Sequence, residues 1–285
     1  MPENPLAVMT DRTLYRPGGD DPGPGLPAAR HWPGKLLWGA SQIVLFLALF
    51  QAYKLVRKTF ITRAESVAFE NALQILDVQG ALHANVELTW QRWVLERGDL
   101  ILVFNNFYAY FMYVFYACAV SLLILSPVRF RYLRRVFLLT MLIALPWYII
   151  YPLAPPRFMQ PYGWDFVDTL AVYGPNYFSE TGLVTANRYA AMPSMHCGWT
   201  LVGAIMIAAA IPWKGIGRAI GLFLVVFITA TVIVTGNHYW LDVVGGWIVV
   251  QLALVINRLL PYPLPIRWPG QRDRVAVPTA RSASL

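Results

Sequence analysis

Six apolar stretches divide the chain, and each is about as long as a helix that crosses a membrane. Such a helix needs about 20 mainly apolar residues. The stretches that qualify are 36–54, 104–125, 134–152, 194–212, 217–236 and 240–260. Inside these apolar runs, Asp242 is the exception to a near absence of charge. The pattern predicts an all-α fold, in which a polytopic membrane protein forms a bundle of six transmembrane helices.

The two ends of the chain have a different pattern. Residues 1–35 are rich in proline and glycine and lack apolar periodicity, so we expect a disordered cytoplasmic leader there. Residues 261–285 are predicted to form a disordered cytoplasmic tail. No short apolar core followed by a small-residue cleavage site is visible, so the first span is expected to be an uncleaved anchor. The predicted membrane domain is therefore 36–260.

The segment 55–99, between the first two spans, has intermediate polarity. Its apolar residues share one helical face: Val86, Trp90, Trp93 and Val94. Glu87, Arg92 and Glu96 lie off that face. This pattern favours an amphipathic helix in the membrane interface, with tryptophan at headgroup depth. It is equally compatible with a helix that packs over the bundle.

A second long connection, 153–192, is rich in proline and glycine. It is too long for a plain connector between two helices. Long loops on a rigid scaffold often carry function. We therefore expect this outer loop to contribute to a functional site.

Composition supports the membrane assignment and excludes other classes. Hydrophobic residues make up 57% of the 285 residues, charged residues 13%, and the mean hydropathy is +0.48. Globular chains carry about 25% charged residues. A disordered polymer, a disulfide scaffold and a basic nucleic-acid-binding domain are thereby disfavoured, and no nucleic-acid partner is expected.

The net charge of +8 is explained by the distribution of lysine and arginine. If the N-terminus is cytoplasmic, fifteen of these residues lie on the inner side and eight on the outer side. Because cytoplasmic loops collect positive charge, both termini are predicted to be cytoplasmic. The expected location is the cell membrane.

Two histidines fall at the outer ends of predicted spans. His196 opens the fourth span and His238 precedes the sixth, so an antiparallel fold places them at one membrane depth. Asp242 follows His238 by four residues and shares its helical face. A carboxylate on one ring nitrogen sets the tautomer and makes the other nitrogen a better nucleophile or base. A structural ion pair or a helix cap is the alternative for Asp242.

Two further features suit an anion. Arg157 follows two prolines that stiffen the backbone, and its guanidinium fits forked hydrogen bonds to phosphate. A snorkelling arginine is the alternative. Pro193 and Ser194 precede the fourth span, where the N–H groups of a helix start and the helix dipole favour an anion. An ordinary helix cap is the alternative.

These groups together match phosphoryl transfer without a metal. One imidazole attacks phosphorus, the other protonates the leaving oxygen, and the cation neutralises charge. We therefore expect neither a metal site nor a cofactor. Zinc held by two histidines and an aspartate is the alternative, although the sequence contains no H-E-x-x-H pair and no paired-cysteine motif.

At these residues the chain resembles the type 2 phosphatidic acid phosphatase superfamily. The family motif P-S-G-H is matched by 193–196, with Met195 in place of glycine. His238 and Asp242 match the end of S-R-x5-H-x3-D, and Arg157 matches the arginine of K-x6-R-P. The variants A-P-P-R, A-A-M-P-S-M-H and T-G-N-H-Y-x-x-D look like the branch of inositol phosphorylceramide synthases, which are inositolphosphotransferases.

The resemblance implies a six-span bundle and a phosphohistidine intermediate. It assigns His238 as nucleophile, Asp242 as its orienting partner and His196 as general acid, with Arg157 and Ser194 binding phosphate. It also implies a membrane lipid phosphate as substrate at the outer leaflet. The second step then delivers the phosphoryl group to water or to a polyol or lipid acceptor.

Two family cations are missing, the lysine of the first motif and the arginine of the third. Ile150 stands at the lysine position of the first motif, and Thr231 and Val232 stand at the Ser-Arg of the third. Less positive charge remains for a phosphate dianion, which favours transfer from a phosphodiester over hydrolysis of a monoester. Arg188, eight residues before His196, is an alternative cation.

Other polar residues on the outer side are candidates for contact with a lipid headgroup: Asn105, Asn106, Tyr110, Asp165, Asp168 and Asn237. Polar capping of a span is the alternative for the first three. A transporter or a non-catalytic lipid-binding protein is the rival function. A transporter is expected to hold its ionisable residues near the membrane midplane, whereas these lie at one interface.

Overall fold

The computed structural model describes residues 32–61, 65–175 and 189–260. Within these ranges the chain is helical, with a single isolated bridge between Leu153 and Ala190 and no strand, as an all-α fold predicts. The α-helices of the described residues are α1 Trp32–Ile61, α2 Glu65–Ala81, α3 Glu87–Leu95, α4 Leu100–Leu125, α5 Pro127–Ile150, α6 Thr169–Tyr173, α7 Met195–Ala210, α8 Lys214–Val234 and α9 Trp240–Leu259.

Four of these helices are long and apolar enough to cross a membrane: α4, the Arg129–Ile150 part of α5, the Gly215–Val234 part of α8, and α9. Two shorter apolar helices, Leu37–Tyr53 within α1 and α7, fall at the first and fourth predicted spans. The protein is therefore a membrane protein. The count of six spans remains a prediction.

Helix α7 lies at the centre of the bundle, in contact with α4, α5, α8 and α9. Its 16 residues extend about 24 Å, less than the roughly 30 Å of a bilayer core. Most of its side chains are buried against the neighbouring helices. Because protein surrounds α7, the lipid does not dictate its length as it does for a helix at the surface of the bundle.

Glycine lets α7 and α9 approach closely. A Cβ atom on Gly246 of α9 would lie 2.2 Å from the backbone oxygen of Ser194, and one on Gly198 would lie 3.2 Å from the oxygen of Gly246. Small residues at such a crossing allow two backbones to meet. The Ser194 N–H also donates to the backbone oxygen of Asp242 at 2.9 Å. The start of α7 is thereby held against the first turn of α9.

Residues 65–99, which lie in the segment predicted to be on the outer side and which we call the outer cap, contain α2 and α3. Buried side chains of α2 join one apolar cluster with the loop and with the residue before α9: Ala68, Ala72, Ile75, Leu76, Leu153, Ala154, Met159, Phe166, Ala191 and Tyr239. Helix α3 packs on α4 and α8. Helix α3 thus packs over the bundle, which was one of the two interpretations of the segment 55–99, and its position in a membrane interface stays a prediction.

The inward face of α3 differs from the predicted one. Glu87 and Gln91 are buried together with Val94, whereas Trp90 and Trp93 are about half exposed. The prediction that Glu87 lies off the packed face was wrong. Backbone groups of neighbouring segments need hydrogen-bond partners, and the polar side chains of α3 supply them.

The described part of the loop 153–192 is turn-rich, as predicted. It contains two 3-10 turns, Pro156–Phe158 and Gln160–Tyr162, and the short α6. Residues 176–188 lie outside the described residues, and the predicted cation Arg188 lies among them. The predicted leader and tail also lie outside, except that α1 begins at Trp32, so the last four residues of the predicted leader are helical.

The chain divides into two units. One is Leu47–Pro261, which holds α2 to α9 and every described residue of the candidate site. The other is Met1–Phe46 with Tyr262–Leu285. Of the second unit, the described residues form the first half of α1.

Candidate active site

His196 lies in the first turn of α7. Ser194 is the N-cap of this helix, and its hydroxyl oxygen accepts a hydrogen bond from the Cys197 N–H at 3.5 Å. The His196 ring is half-buried between two aromatic rings of α4. Its centroid lies 4.3 Å from that of Tyr108, in a stacked arrangement, and 4.5 Å from that of Phe111. The ring is thus held by its faces.

His238 lies in the turn between α8 and α9. Its backbone N–H donates to the oxygen of Val232 at 3.1 Å, and Gly236, with a φ of 68°, allows the chain to reverse after α8. Its Nδ1 lies 3.3 Å from Oδ2 of Asp242, which is fully buried. The same oxygen accepts the N–H of Tyr239 at 2.9 Å. Asp242 therefore orients the imidazole and caps the start of α9.

The two imidazole rings lie next to each other. Their ring centroids are 5.6 Å apart, with planes inclined at 59°. This separation follows from the close crossing of α7 and α9, because each histidine lies at the start of, or just before, one of these helices. Within the described part of the chain, no group of three His, Cys, Asp or Glu side chains has the arrangement of a metal site.

Arg157 is buried in the 3-10 turn that precedes α6, and the turn between α8 and α9 holds it. Its backbone N–H donates to the oxygen of Gly236 at 2.9 Å. Its guanidinium donates to the side-chain oxygen of Asn237, and its Nε lies 3.5 Å from Oδ2 of Asp168. Because Gly236 and Asn237 immediately precede His238, these bonds hold Arg157 against the turn that carries the histidine.

The loop around Asp168 is tied to the bundle by buried polar groups. Asp168 caps α6 by accepting the Ala171 N–H at 3.2 Å. The Thr169 hydroxyl donates to Oδ1 of Asn105 at 2.8 Å, and the Asn105 amide donates to the backbone oxygens of Thr169 and Gly174. Asn105 therefore acts within a packed network that supports the ion pair of Arg157.

Other residues proposed from the sequence lie elsewhere. Asn106 is exposed and donates to the oxygen of Leu102 on its own helix, at 2.7 Å. Tyr110 is also exposed, on the same side of α4. Asp165 pairs with Arg92 at 3.0 Å at the surface. The structure does not bring these three predicted residues beside the histidines.

Sequence reasoning missed four residues that support the site: Tyr108, Phe111, Glu87 and Gln91. Tyr108 and Phe111 belong to an apolar helix in which every third or fourth residue is aromatic, so no signal separated them from core residues. Burial raises the pKa of the Glu87 carboxyl above its ordinary value, although hydrogen bonds from Trp240 and Gln79 oppose the shift. In the sequence, Glu87 and Gln91 look like residues of a solvated face.

The described groups have the parts of a phosphoryl-transfer site. An imidazole with a carboxylate on Nδ1 has its Nε2 as the more basic nitrogen. The ring centroid of a second imidazole lies 5.6 Å from that of the first, and the buried guanidinium of Arg157 donates to Asn237, the residue before His238. Groups of these types can act as nucleophile, acid and charge neutraliser in phosphoryl transfer.

Comparison with known proteins identifies the family. No curated protein and no solved structure matches the chain. The model of the PAP2 superfamily matches residues 73–256, a range that includes Arg157, His196, His238 and Asp242. Because this match covers more than half of the chain, the protein belongs to the PAP2 superfamily, whose members are enzymes of the phosphoesterase type.

Proposed function

We propose that this protein is an integral-membrane enzyme that transfers or hydrolyses the phosphate of a membrane lipid through a phosphohistidine intermediate. The observation that carries the proposal is the pairing of His238 with the buried Asp242, together with a distance of 5.6 Å between the ring centroids of His238 and His196. Membership of the PAP2 superfamily supports the reaction class. The apolar helices support a substrate that resides in the bilayer.

In the first step, Nε2 of His238 attacks phosphorus. A P–N bond forms while the P–O bond to the lipid alcohol breaks, and protonated His196 gives its proton to the leaving oxygen. The ring of His238 becomes positively charged, and Asp242 stabilises that charge through Nδ1. Arg157, the Ser194 hydroxyl and the N–H groups at the start of α7 bind the phosphate oxygens.

In the second step, an oxygen of water or of an acceptor hydroxyl attacks the phosphohistidine. His196, now neutral, takes the proton of that oxygen, and the P–N bond breaks. Both histidines return to their starting states. Hydrolysis and transfer therefore differ only in the oxygen that enters.

The charge of the site favours a substrate with one negative charge. The position of the family lysine is Ile150, which is 77% exposed, and the Ser-Arg positions are the buried Thr231 and Val232. Arg157 is a buried cation whose guanidinium donates to Asn237, the residue before His238. A phosphodiester carries one charge less than a monoester, which supports headgroup transfer of the inositolphosphotransferase type as the second candidate. Arg188 is proposed as a further cation.

The proposed orientation places both termini in the cytoplasm and the site at the outer leaflet. The excess of lysine and arginine on the side of the termini supports it. In this frame, Trp90 and Trp93 of the outer cap lie at headgroup depth, where tryptophan is favoured. A transporter is disfavoured because the ionisable site residues lie at helix starts rather than at the midplane.

The test is a product assay with purified protein on a panel of lipid phosphates, with and without inositol or glycerol. Inorganic phosphate identifies a hydrolase, and a new phosphodiester identifies a transferase. His238→Asn is expected to abolish both products, while the exposed His83→Asn keeps the wild-type rate, because His83 has a positive φ that asparagine tolerates. Wild-type turnover by His238→Asn would remove the proposal.

The intermediate is tested separately by rapid quench with an aryl phosphate. Its good leaving group needs no acid in the first step, whereas the second step needs His196 as base. His196→Gln is therefore expected to accumulate an acid-labile protein phosphate. Absence of the adduct at all times would indicate direct attack by water.

A further inference from the structure

Two buried polar side chains of α3 have no part in the proposed chemical steps. Gln91 is fully buried and Glu87 is 1% exposed. They are four residues apart and therefore share one helical face. That face is directed inward, away from the exposed Trp90 and Trp93.

Gln91 joins two segments of the site. Its Nε2 donates to the backbone oxygens of Val167, at 3.0 Å, and of Val234, at 3.2 Å. Its Oε1 accepts the Val167 N–H at 2.8 Å. Val167 is the residue before Asp168, and Val234 is the last residue of α8.

Glu87 holds the beginning of α9. Its Oε1 accepts the backbone N–H of Trp240, the first residue of α9, at 2.9 Å. The Gln79 amide supports the same oxygen at 2.9 Å. In addition, the indole N–H of Trp240 donates to the backbone oxygen of Ala84 at 2.8 Å. Two N–H donors therefore fix one carboxylate oxygen of Glu87.

The two anchors bracket the turn that carries His238. This turn, 235–239, starts after Val234 and ends before Trp240. A Cβ atom on Gly236, inside the turn, would lie 3.0 Å from Nε2 of Gln91. The Val167 anchor also fixes the part of the loop that leads to Asp168, the ion-pair partner of Arg157.

We propose that Gln91 and Glu87 are positioning residues of the phosphoryl-transfer site. Helix α3 acts as a clamp that fixes the turn 235–239 and the Asp168 segment, and through them His238 and Arg157. The inference rests on the proposed function. Misplacement of reacting groups by about 1 Å lowers rates by as much as ~100-fold, so loss of the clamp reduces turnover while the phosphate-binding groups remain.

The first test is Gln91→Leu in the full-length protein, assayed on a lipid phosphate. This change leaves the Val167 N–H and two backbone oxygens without their partner. The expected result is a kcat at least ~10-fold lower, with a smaller change in KM, because Arg157 is displaced while Ser194 and the N–H groups of α7 stay in place. An unchanged kcat in folded protein would overturn the proposal.

The matched control is Asn257→Leu, which removes another buried amide. Asn257 lies near the other end of α9, where its side chain accepts a hydrogen bond from Arg135. It is expected to lower Tm as Gln91→Leu does but to keep kcat within about two-fold. An equal fall of kcat in both variants would show that lost stability alone explains the effect, and would refute a positioning role.

The second test is Glu87→Gln, which changes the charge without the size and decides the matter if Gln91→Leu does not fold. Weaker acceptance from Trp240 is expected to lower kcat by about three-fold or more at unchanged KM. Wild-type kcat in this variant would contradict the clamp. His238→Asn separates the two proposals, because turnover retained there would refute the reaction mechanism itself.

Discussion

The two histidines of the site sit in opposite surroundings. His238 lies in a turn and is fixed by hydrogen bonds, with its Nδ1 on the buried Asp242 and its N–H on Val232. His196 lies on a helix and is fixed by packing, with its ring between Tyr108 and Phe111. One environment acts on a ring nitrogen, and the other acts on the ring faces.

This difference matches the two proposed roles. A nucleophile must keep one tautomer, and a carboxylate on Nδ1 achieves that. An acid that later serves as base must change its protonation state within each cycle. Ring contacts with Tyr108 and Phe111 hold such a ring in place in either protonation state. The hydrogen bonds around His238, the hydrogen-bonded half of the site, therefore fix the tautomer of the nucleophile. The packing around His196, the packed half, fixes the distance between the two rings.

Asp242→Asn breaks the hydrogen-bonded half and is expected to have the largest effect on turnover among these changes. An amide can present its N–H to Nδ1 and select the wrong tautomer, so kcat is expected to fall by ~10²-fold or more, as in other His–carboxylate pairs. Steady-state kinetics on a lipid phosphate measure it. Asp165→Asn, at the exposed ion pair with Arg92, is the control with wild-type kinetics. Activity near wild type in Asp242→Asn would show that Asp242 is only a cap.

Gly246→Ala tests the distance between the two halves. Its Cβ would meet the Ser194 oxygen at 2.2 Å, so α9 must shift from α7 and His238 must shift from His196. A loss of about 10-fold or more in kcat is expected. Gly245→Ala is a matched control, because its Cβ finds ordinary contacts at 3.5 Å. Equal kinetics of the two variants would mean that the crossing does not set the site geometry.

Tyr108→Leu weakens the packed half alone. Loss of one stacked ring costs about 0.5–1.5 kcal/mol beyond the loss of buried area, and the expected result is a decrease in kcat of up to ~10-fold. Tyr110→Leu on the same helix changes an exposed ring and is expected to leave kcat unaltered. The reverse outcome, with Tyr110 the sensitive residue, would restore the headgroup role that the sequence suggested for it.

The smallest of these effects is the pH dependence of stability to which Glu87 contributes. Burial raises its pKa above the ordinary 4.5 in the folded protein, so the folded state binds this proton more tightly than the unfolded state. Unfolding free energy then decreases as pH rises from about 4.5 through the folded pKa. Glu87→Gln is expected to remove this slope in Tm measurements between about pH 4 and 8. Parallel curves for both proteins would contradict the shift.

Local pattern was sufficient for much of the fold. Lengths and apolarity placed all six predicted spans on helices, with ends within a few residues for α4, α7, α8 and α9. The four-residue spacing predicted the contact of His238 with Asp242, but the expected shared helix face was wrong. His238 lies in the turn before α9, and the Asp242 side chain reaches it by folding back over the start of the helix. The face of α3 was predicted wrongly, since an amphipathic pattern does not tell whether the inner surface offers apolar side chains or unpaired backbone groups.

The sequence alone determined that the chain resides in a membrane, which segments become helices, and which ionisable residues stand at their ends. These properties depend on neighbours within a few residues, where the solvent preference of each side chain dominates. Only the tertiary structure decided how near His196 comes to His238, that Arg157 joins their turn, and that Gln91 and Glu87 lie inside. Those outcomes depend on contacts between residues that are 42 to 153 positions apart in the chain. The glycine crossing of α7 and α9 is one such contact, and no local pattern encodes it.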